Sequence, residues 1–354
     1  MPKRWSRVFV AAAVSSGLWL AMAAFAPAVR AEASEIVTEE MMVPAADDGI
    51  SLYVRNKHPA GMSSFRPERT LLFVHGSTYP AETSFDLPLG GRSWMEEIAG
   101  QGYDVYLVDL RGYGRSTRPP EMSQPAEANG PIVRTKTAVK DVGSAVDAIL
   151  KRRGLPKLDL MGWSWGTTIM ASYTTQYPDK VSRLVLYAPQ WLRTSQGLMT
   201  TGAGPLGAYR SVTRQTARDR WLSGVPQDKA AGLIPARWFE QWADATFATD
   251  PDGAKAEPAV LRAPNGTIAD AKDYWSSNKP VYDPAKIVVP TLLIGAEWDR
   301  DCPAALRQAL FPLLVNAPTK RYVELAEGTH TILMEKNRQE LFRAVQAFLD
   351  EGSR

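Results

Sequence analysis

Ser164 stands in the pentapeptide Gly162-Trp163-Ser164-Trp165-Gly166, between the short apolar run Leu158-Asp159-Leu160-Met161 and the helix-like stretch Thr167 to Tyr173. A serine at such a strand-to-helix corner takes a tight, strained backbone conformation. Glycines two before and two after it are needed because side chains there would collide with the turn. The strain displays the Ser164 hydroxyl above the sheet, with a helix N-terminus behind it to favour negative charge. A weakly nucleophilic alcohol held this way is set for attack on a carbonyl carbon.

Such a nucleophile needs a base, and the chain offers three histidines. His58 lies ahead of Pro59 and Gly61 and reads as a solvated loop residue. His75 ends the apolar run Leu71-Leu72-Phe73-Val74 and begins the loop His75-Gly76-Ser77-Thr78. His330, in Glu327-Gly328-Thr329-His330-Thr331 after the last strand-like segment, remains as the general base, at the edge of the sheet where active sites collect. An imidazole that gains and loses a proton needs a carboxylate to fix its tautomer. The segment Glu297-Trp298-Asp299-Arg300-Asp301-Cys302-Pro303 holds three. Asp299, four residues before Pro303, is the choice, Asp301 the second and Glu297 the third. For Asp301 the competing expectations are a pair with Arg300 or a helix cap.

The elements that must position these groups alternate along the chain. A turn at Asp47-Asp48-Gly49 makes the segment from Ile36 to Val54 a β-hairpin. Continuous apolar strands follow at Thr70–Val74, Asp104–Val108, Arg183–Tyr187 and Thr291–Ile294, with Arg321–Leu325 closing the series. Amphipathic stretches such as Ala138–Lys151 and Gln339–Asp350 lie between them. Strands alternating with helices predict an α/β fold, a mostly parallel, doubly wound sheet covered on both faces. From Gln190 to Ala285 the alternation stops. Short helical pieces and five tryptophans, Trp191, Trp221, Trp238, Trp242 and Trp275, predict an inserted helical cap over a core of residues 36–189 and 286–354. Most of these indoles are expected in the cap core, and one or two against substrate.

With Ser164, Asp299 and His330 in that order, the His75-Gly76 loop, the insert and the segment Asp109-Leu110-Arg111-Gly112-Tyr113-Gly114-Arg115-Ser116, residues 36–354 resemble a capped α/β-hydrolase. The resemblance implies an oxyanion hole made of the backbone N–H groups of Trp165 and Ser77, with Thr78 as the donor if the loop is shifted by one. It also makes Asp109 to Thr117 a structural turn tied by salt bridges. The long loop Ser77 to Gly91 carries Tyr79, Phe85 and Leu87, which are expected to wall a pocket, with Trp163 flanking it.

The first 31 residues are set apart from this core. Lys3, Arg4 and Arg7 precede the apolar run Val8–Ala26, and Val29 and Ala31 stand at the key positions of a cleavage site, the pattern of a secretory signal peptide. Its removal takes away four cations and no acid, so the formal charge falls from +3 to −1. Nucleic acid and anionic membrane are therefore not expected as partners, and no later segment is apolar enough for a membrane span. Cys302, the single cysteine, allows neither an internal disulfide nor a cysteine metal cluster. Export without disulfides suits a bacterial periplasm.

The expectation is an exported serine hydrolase acting on small to medium, apolar or aromatic carboxylic esters, with no metal or organic cofactor. Around Ser164 the chain is also similar to proline iminopeptidases, which put Trp after the nucleophile. Their Gly- and Pro-rich loop is replaced here by His75-Gly76-Ser77-Thr78-Tyr79. For an aminopeptidase, Glu240 and Asp244 are the groups available to hold an α-amine. A non-catalytic binding module on the same scaffold is the third reading. Epoxide hydrolases and dehalogenases place an aspartate where this chain has Ser164. Oligomeric state is not legible in the residues.

Overall fold

The alternation seen in the sequence builds an eight-stranded sheet. The computed structural model describes residues 1–3, 35–193 and 205–351. The leader-like residues 4–31 lie outside that set. Ser34–Arg354 forms one compact unit.

The strands are β1 (Ile36–Pro44), β2 (Ser51–Pro59), β3 (Thr70–Val74), β4 (Asp104–Val108), β5 (Leu158–Trp163), β6 (Val181–Tyr187), β7 (Tyr209–Thr213), β8 (Val260–Pro264), β9 (Thr291–Ala296) and β10 (Lys320–Leu325). The helices are α1 (Ala81–Phe85), α2 (Trp94–Gly100), α3 (Thr135–Arg153), α4 (Trp165–Gln176), α5 (Arg214–Trp221), α6 (Trp238–Ala248), α7 (Gly266–Asp273), α8 (Ala304–Leu310) and α9 (Arg338–Asp350). In the main sheet the order is β1-β2-β4-β3-β5-β6-β9-β10. β1 and β2 join antiparallel at one edge, and the remaining strands run parallel.

β3, β4, β5 and β9 are buried at every position. That is why they read as unbroken apolar runs: with helices on both faces, neither side of the strand meets water. α3 begins after an extended Arg134 and stops at Gly154, whose φ of 65° closes the helix in the left-handed conformation. α9 lays its apolar stripe, Leu341, Phe342, Val345, Phe348 and Leu349, against the sheet.

Two expectations differ from the structure here. His58 is not in a solvated loop: β2 runs through to Pro59 because β1 pairs with it residue for residue as far as Ile36, and the imidazole is buried in that ladder. The insert between β6 and β9 also holds more than helices. β7 and β8 form a two-stranded antiparallel sheet, with Tyr209 opposite Pro264 and Thr213 opposite Val260. β7 is only partly buried along its length, so it has no apolar run to announce it, and its partner is nearly fifty residues away.

The insert has its own aromatic centre. Trp221 and Trp242 meet at 4.6 Å, and Phe239 packs against both at 5.4 and 5.6 Å. Trp242 also meets Tyr79 of the core edge-on, at 4.6 Å. Trp191 packs on Tyr282, and Trp238 lies under the Arg338 guanidinium.

Candidate functional site

β5 delivers Ser164 and α4 begins at the next residue, so the serine sits in the turn between them. Its φ is 56° and ψ is −120°, a region that side chains rarely occupy. Three hydrogen bonds hold it there: its N–H donates to the Tyr187 carbonyl at 2.9 Å, and its carbonyl accepts from the Thr167 N–H at 3.0 Å and the Thr167 hydroxyl at 2.5 Å. The flanking glycines are required by contact. A Cβ on Gly162 would lie 2.2 Å from the Gly166 carbonyl oxygen, and one on Gly166 would lie 2.6 Å from the carbonyl oxygens of both Val74 and His75. Those atoms are backbone and have no room to yield.

His330 follows β10 on a loop fixed from both sides. Its carbonyl accepts from the Trp163 indole at 3.1 Å and the Tyr187 hydroxyl at 2.8 Å. Behind it the buried Glu335 carboxylate accepts from the Thr329 N–H at 3.1 Å, from the Thr331 hydroxyl at 3.1 Å and from the Thr329 hydroxyl. Burial drives the Glu335 carboxyl up to about 7 despite these donors. The His330 Nδ1 lies 3.0 and 2.9 Å from the two Asp299 oxygens. Asp299 also accepts the Cys302 N–H at 2.7 Å, which sets its own orientation. Burial opposes a charge on the imidazole, but the Asp299 and Asp301 carboxylates outweigh it and raise His330 above the ordinary imidazole range.

The three carboxylates of this loop therefore part company. Asp299 is the one against His330. Asp301, expected to pair with Arg300 or cap a helix, instead takes Arg220 Nε at 2.6 Å across from α5. Burial works against its charge, yet Arg220 and His330 hold it below the usual aspartate range. Glu297 accepts the Glu327 N–H on the surface.

Ser164 and His330 face one small cavity, lined also by Gly76, Ser77, Thr78, Tyr79, Trp163, Arg220, Asp301 and Thr331. It measures about 10 Å³, room for roughly one water. Ser164 Oγ and His330 Nε2 are both buried and without a hydrogen-bond partner among the described residues. Buried polar atoms are normally paired, so these two, with the Tyr79 hydroxyl of the same lining, make the cavity a place where polar groups face in without a protein partner. A larger groove between α3 and α4 shares no residue with this cavity.

Of the other expected residues, Trp165 opens α4, where its N–H has no carbonyl four residues back within the helix. Its indole points away and donates to Thr135 at 2.8 Å. The Ser77–Thr78 loop is held by its carbonyl: Ser77 O accepts from the Tyr113 hydroxyl at 2.9 Å and from Arg210 at 2.8 Å. His75 donates from Nδ1 to the Gly76 carbonyl and accepts the Leu110 N–H on Nε2. Burial drives it down to about 4, so it stays neutral. The Asp109 carboxylate receives the Ala81 N–H at 2.7 Å and the Arg115 N–H at 3.1 Å, tying that turn to the base of the same loop, and Arg111 pairs with Asp141 and Asp47.

Tyr79 and Trp163 line the cavity, but Phe85 does not. It stacks on Phe73 at 4.6 Å, because α1 turns it inward to the core. Leu87 and the five insert tryptophans are likewise absent from the lining. Glu240 and Asp244 lie on the exposed face of α6, paired with Arg218 and Arg214. Arg220 is the lining residue that the sequence reading passed over. It sits in an ordinary charged helix, Arg214 to Trp221, and nothing local distinguishes it from Arg218.

Asp299, Cys302 and His330 bring potential ligand atoms within 4.8 Å of one another. The fit to a cation is poor. Asp299 is committed to two N–H donors, and burial pushes the Cys302 thiol up, keeping it protonated.

Among the described residues no helix is long and apolar enough to cross a membrane. In sequence, 113 residues are 32% identical to the abhydrolase domain-containing protein abhd-5.2 of Caenorhabditis elegans, 31% of this chain but only 23% of that protein. The chain thus spans about a quarter of that relative's length. Proline iminopeptidase of Xylella fastidiosa is 23% identical over 222 residues, 57% of this chain and 67% of that one. Among solved structures, an esterase from Thermogutta terrifontis superposes with a TM-score of 0.53 at 17% identity, covering 88% of this chain and 98% of its own. A lipase-like protein from Acinetobacter baumannii and an esterase from Exiguobacterium antarcticum share the same fold, at TM-scores of 0.55 and 0.56. The model of the alpha/beta hydrolase fold family matches residues 69–336, three quarters of the sequence, and the chain belongs to that family.

Proposed function

We propose that this protein is a serine hydrolase that cleaves small to medium carboxylic esters, apolar or aromatic in part, through an acyl-enzyme. The observation that carries the reading is the pair of orphaned atoms, Ser164 Oγ and His330 Nε2, buried in one cavity with Asp299 against the far nitrogen of the imidazole.

Substrate binding has to bring Oγ within reach of Nε2. Ser164 Oγ then attacks the carbonyl carbon as its proton passes to Nε2, and the C=O pair moves onto oxygen. The N–H groups of Trp165 and Ser77 are the donors for that oxyanion, an interaction for which loss of one donor typically costs about 2.7–4 kcal/mol of barrier. Asp299 fixes the tautomer with the proton on Nδ1 and stabilises the imidazolium. Collapse of the tetrahedral intermediate breaks the ester C–O bond, and His330 gives its proton to the departing alkoxide. Water, deprotonated by His330, repeats the attack on the acyl-enzyme and releases the acid. Tyr79 and Trp163 supply the aromatic wall.

An aminopeptidase reading draws on the iminopeptidase relative. It requires an acid facing the cavity to hold an α-amine. Glu240 and Asp244 are absent from the lining, and Asp301 is already engaged by Arg220. The leader-like residues 1–31 support an exported, periplasmic enzyme, which N-terminal sequencing of the secreted form tests.

A fluorophosphonate probe tests the nucleophile directly: labelling is expected in the native protein and absent in Ser164→Ala, and labelling that survives this change overturns the reading. A panel of p-nitrophenyl esters against aminoacyl arylamides tests the bond. Turnover confined to proline arylamide replaces the esterase reading with the aminopeptidase one.

A further inference from the structure

The steps above give Arg220 nothing to do, although it lines the cavity beside Ser164 and His330. Its side chain reaches in from the insert and is only 17% exposed. Nε donates to Asp301 and Nη1 donates to the Thr78 hydroxyl at 3.1 Å. Nη2 has no partner among the described residues and is not among the sealed, unsatisfied atoms.

Two further guanidiniums stand close by. Arg210 of β7 donates to the same Thr78 hydroxyl at 2.8 Å, and Arg193 donates to the Asp301 carbonyl at 2.9 Å. An ion pair that only fastened α5 to the core would serve as well outside the cavity, and would turn the whole fork onto its partner. Here two corners of the fork are fixed by Asp301 and Thr78. The third has no such partner among the described residues, on a side chain that lines the cavity. A planar guanidinium held in a fixed orientation with an N–H donor to spare is suited to receive a carboxylate.

We propose that Arg220 is an anion subsite, and that the preferred substrate is an ester bearing a free carboxylate on its acyl chain or on its alcohol. The inference rests on the serine hydrolase reading and narrows its substrate class. The bond cleaved and the proton path are unchanged, and Asp301 keeps the guanidinium in place while the substrate anion takes Nη2.

The test compares charged esters with neutral isosteres. For the acyl side these are 4-nitrophenyl hydrogen glutarate and 4-nitrophenyl pentanoate; for the alcohol side, 4-carboxyphenyl butyrate and 4-methylphenyl butyrate. At least one charged ester is expected to exceed its isostere by about 10-fold or more in kcat/KM, the usual worth of a hydrogen bond to a charged group. That ratio should collapse to near one in Arg220→Gln paired with Asp301→Asn, a double change that removes the ion pair as a unit and leaves no lone buried charge.

Binding to Ser164→Ala, followed by tryptophan fluorescence, gives a readout without turnover. The charged ester is expected to bind about 10-fold more tightly than its isostere. Neutral esters cleaved with Ser164 dependence, but with no preference on either side, overturn the subsite and leave the hydrolase reading standing. Equal binding of charged and neutral esters to Ser164→Ala overturns the subsite whatever the turnover. Failure of every ester, together with absent fluorophosphonate labelling, overturns the hydrolase reading instead.

Discussion

On one side of the cavity stands the elbow of the sheet, on the other the α5 helix of the insert, and the two are built by different means. At the elbow, position is a matter of backbone: Ser164 is held by the Tyr187 and Thr167 hydrogen bonds, between glycines that no other residue can replace. At α5, position is a matter of charge: Arg220 reaches across to Asp301, and no backbone contact obliges it to. Backbone contact tolerates no drift, whereas an ion pair between two elements can be rewritten by one substitution at either end. On the proposed hydrolase reading, this division leaves the reaction to the sheet and the choice of substrate to the insert.

The largest break in that contrast is expected within the acid loop. Asp299→Asn leaves the geometry but removes the charge against Nδ1, and steady-state turnover of a neutral ester should fall by about 10⁴. Asp301→Asn should cost no more than about 10-fold, and it should also move the pH profile. Both carboxylates raise His330, and the proposed mechanism needs it neutral to act as base, so activity is expected to rise with pH through that raised value. With Asp301 neutralised, the rising limb of kcat/KM should shift to lower pH. An unmoved limb would show that Asp301 is remote from the base electrostatically.

Gly166→Ala probes the backbone side alone. A Cβ there meets two carbonyl oxygens at 2.6 Å, so a loss of about 3 kcal/mol or failure to fold is expected in thermal melts. A normal melt would mean that the elbow is softer than its contacts imply.

Glu335 supplies a pH test of the loop that carries His330. Its folded-state value of about 7 lies above the ordinary 4.5, so the folded protein binds its proton more tightly than the unfolded chain does. That contribution is fully present below pH 4.5 and is lost as pH rises to 7, a change of about 3 kcal/mol. Glu335→Gln should flatten the stability profile across this window in denaturant titrations. The smallest effect is expected on the surface of the insert. Glu240→Gln and Asp244→Asn, each paired in the open with an arginine, should leave ester turnover within about twofold.

The same division decides what could be read in the residues. Strands buried on both faces announce themselves as apolar runs, and a glycine-flanked serine announces its turn, because both signals are local. His330 and the acid loop carry no such local signal and follow only from order along the chain and elimination among three histidines. Choosing between Asp299 and Asp301 was harder: two residues apart on one loop, they point to different partners, and the partner of the second lies on another element. Arg220 carried no local signal at all. Its environment consists of Asp301 and Thr78, 81 and 142 residues away. β7 escaped for the same reason, since a half-buried strand with a distant partner has no pattern of its own. Phe85 and Leu87 leave the cavity wall because a helical turn inside a long loop changes which side chains face in.

The φ of 56° at Ser164 bears on how long the protein lasts as well as on what it does. A residue kept in that conformation holds about 1–3 kcal/mol that the rest of the fold must offset. Glycine adopts the same angle without strain. Ser164→Gly should therefore melt a few degrees higher than the native protein while turning over nothing, an inert copy more durable than the working one.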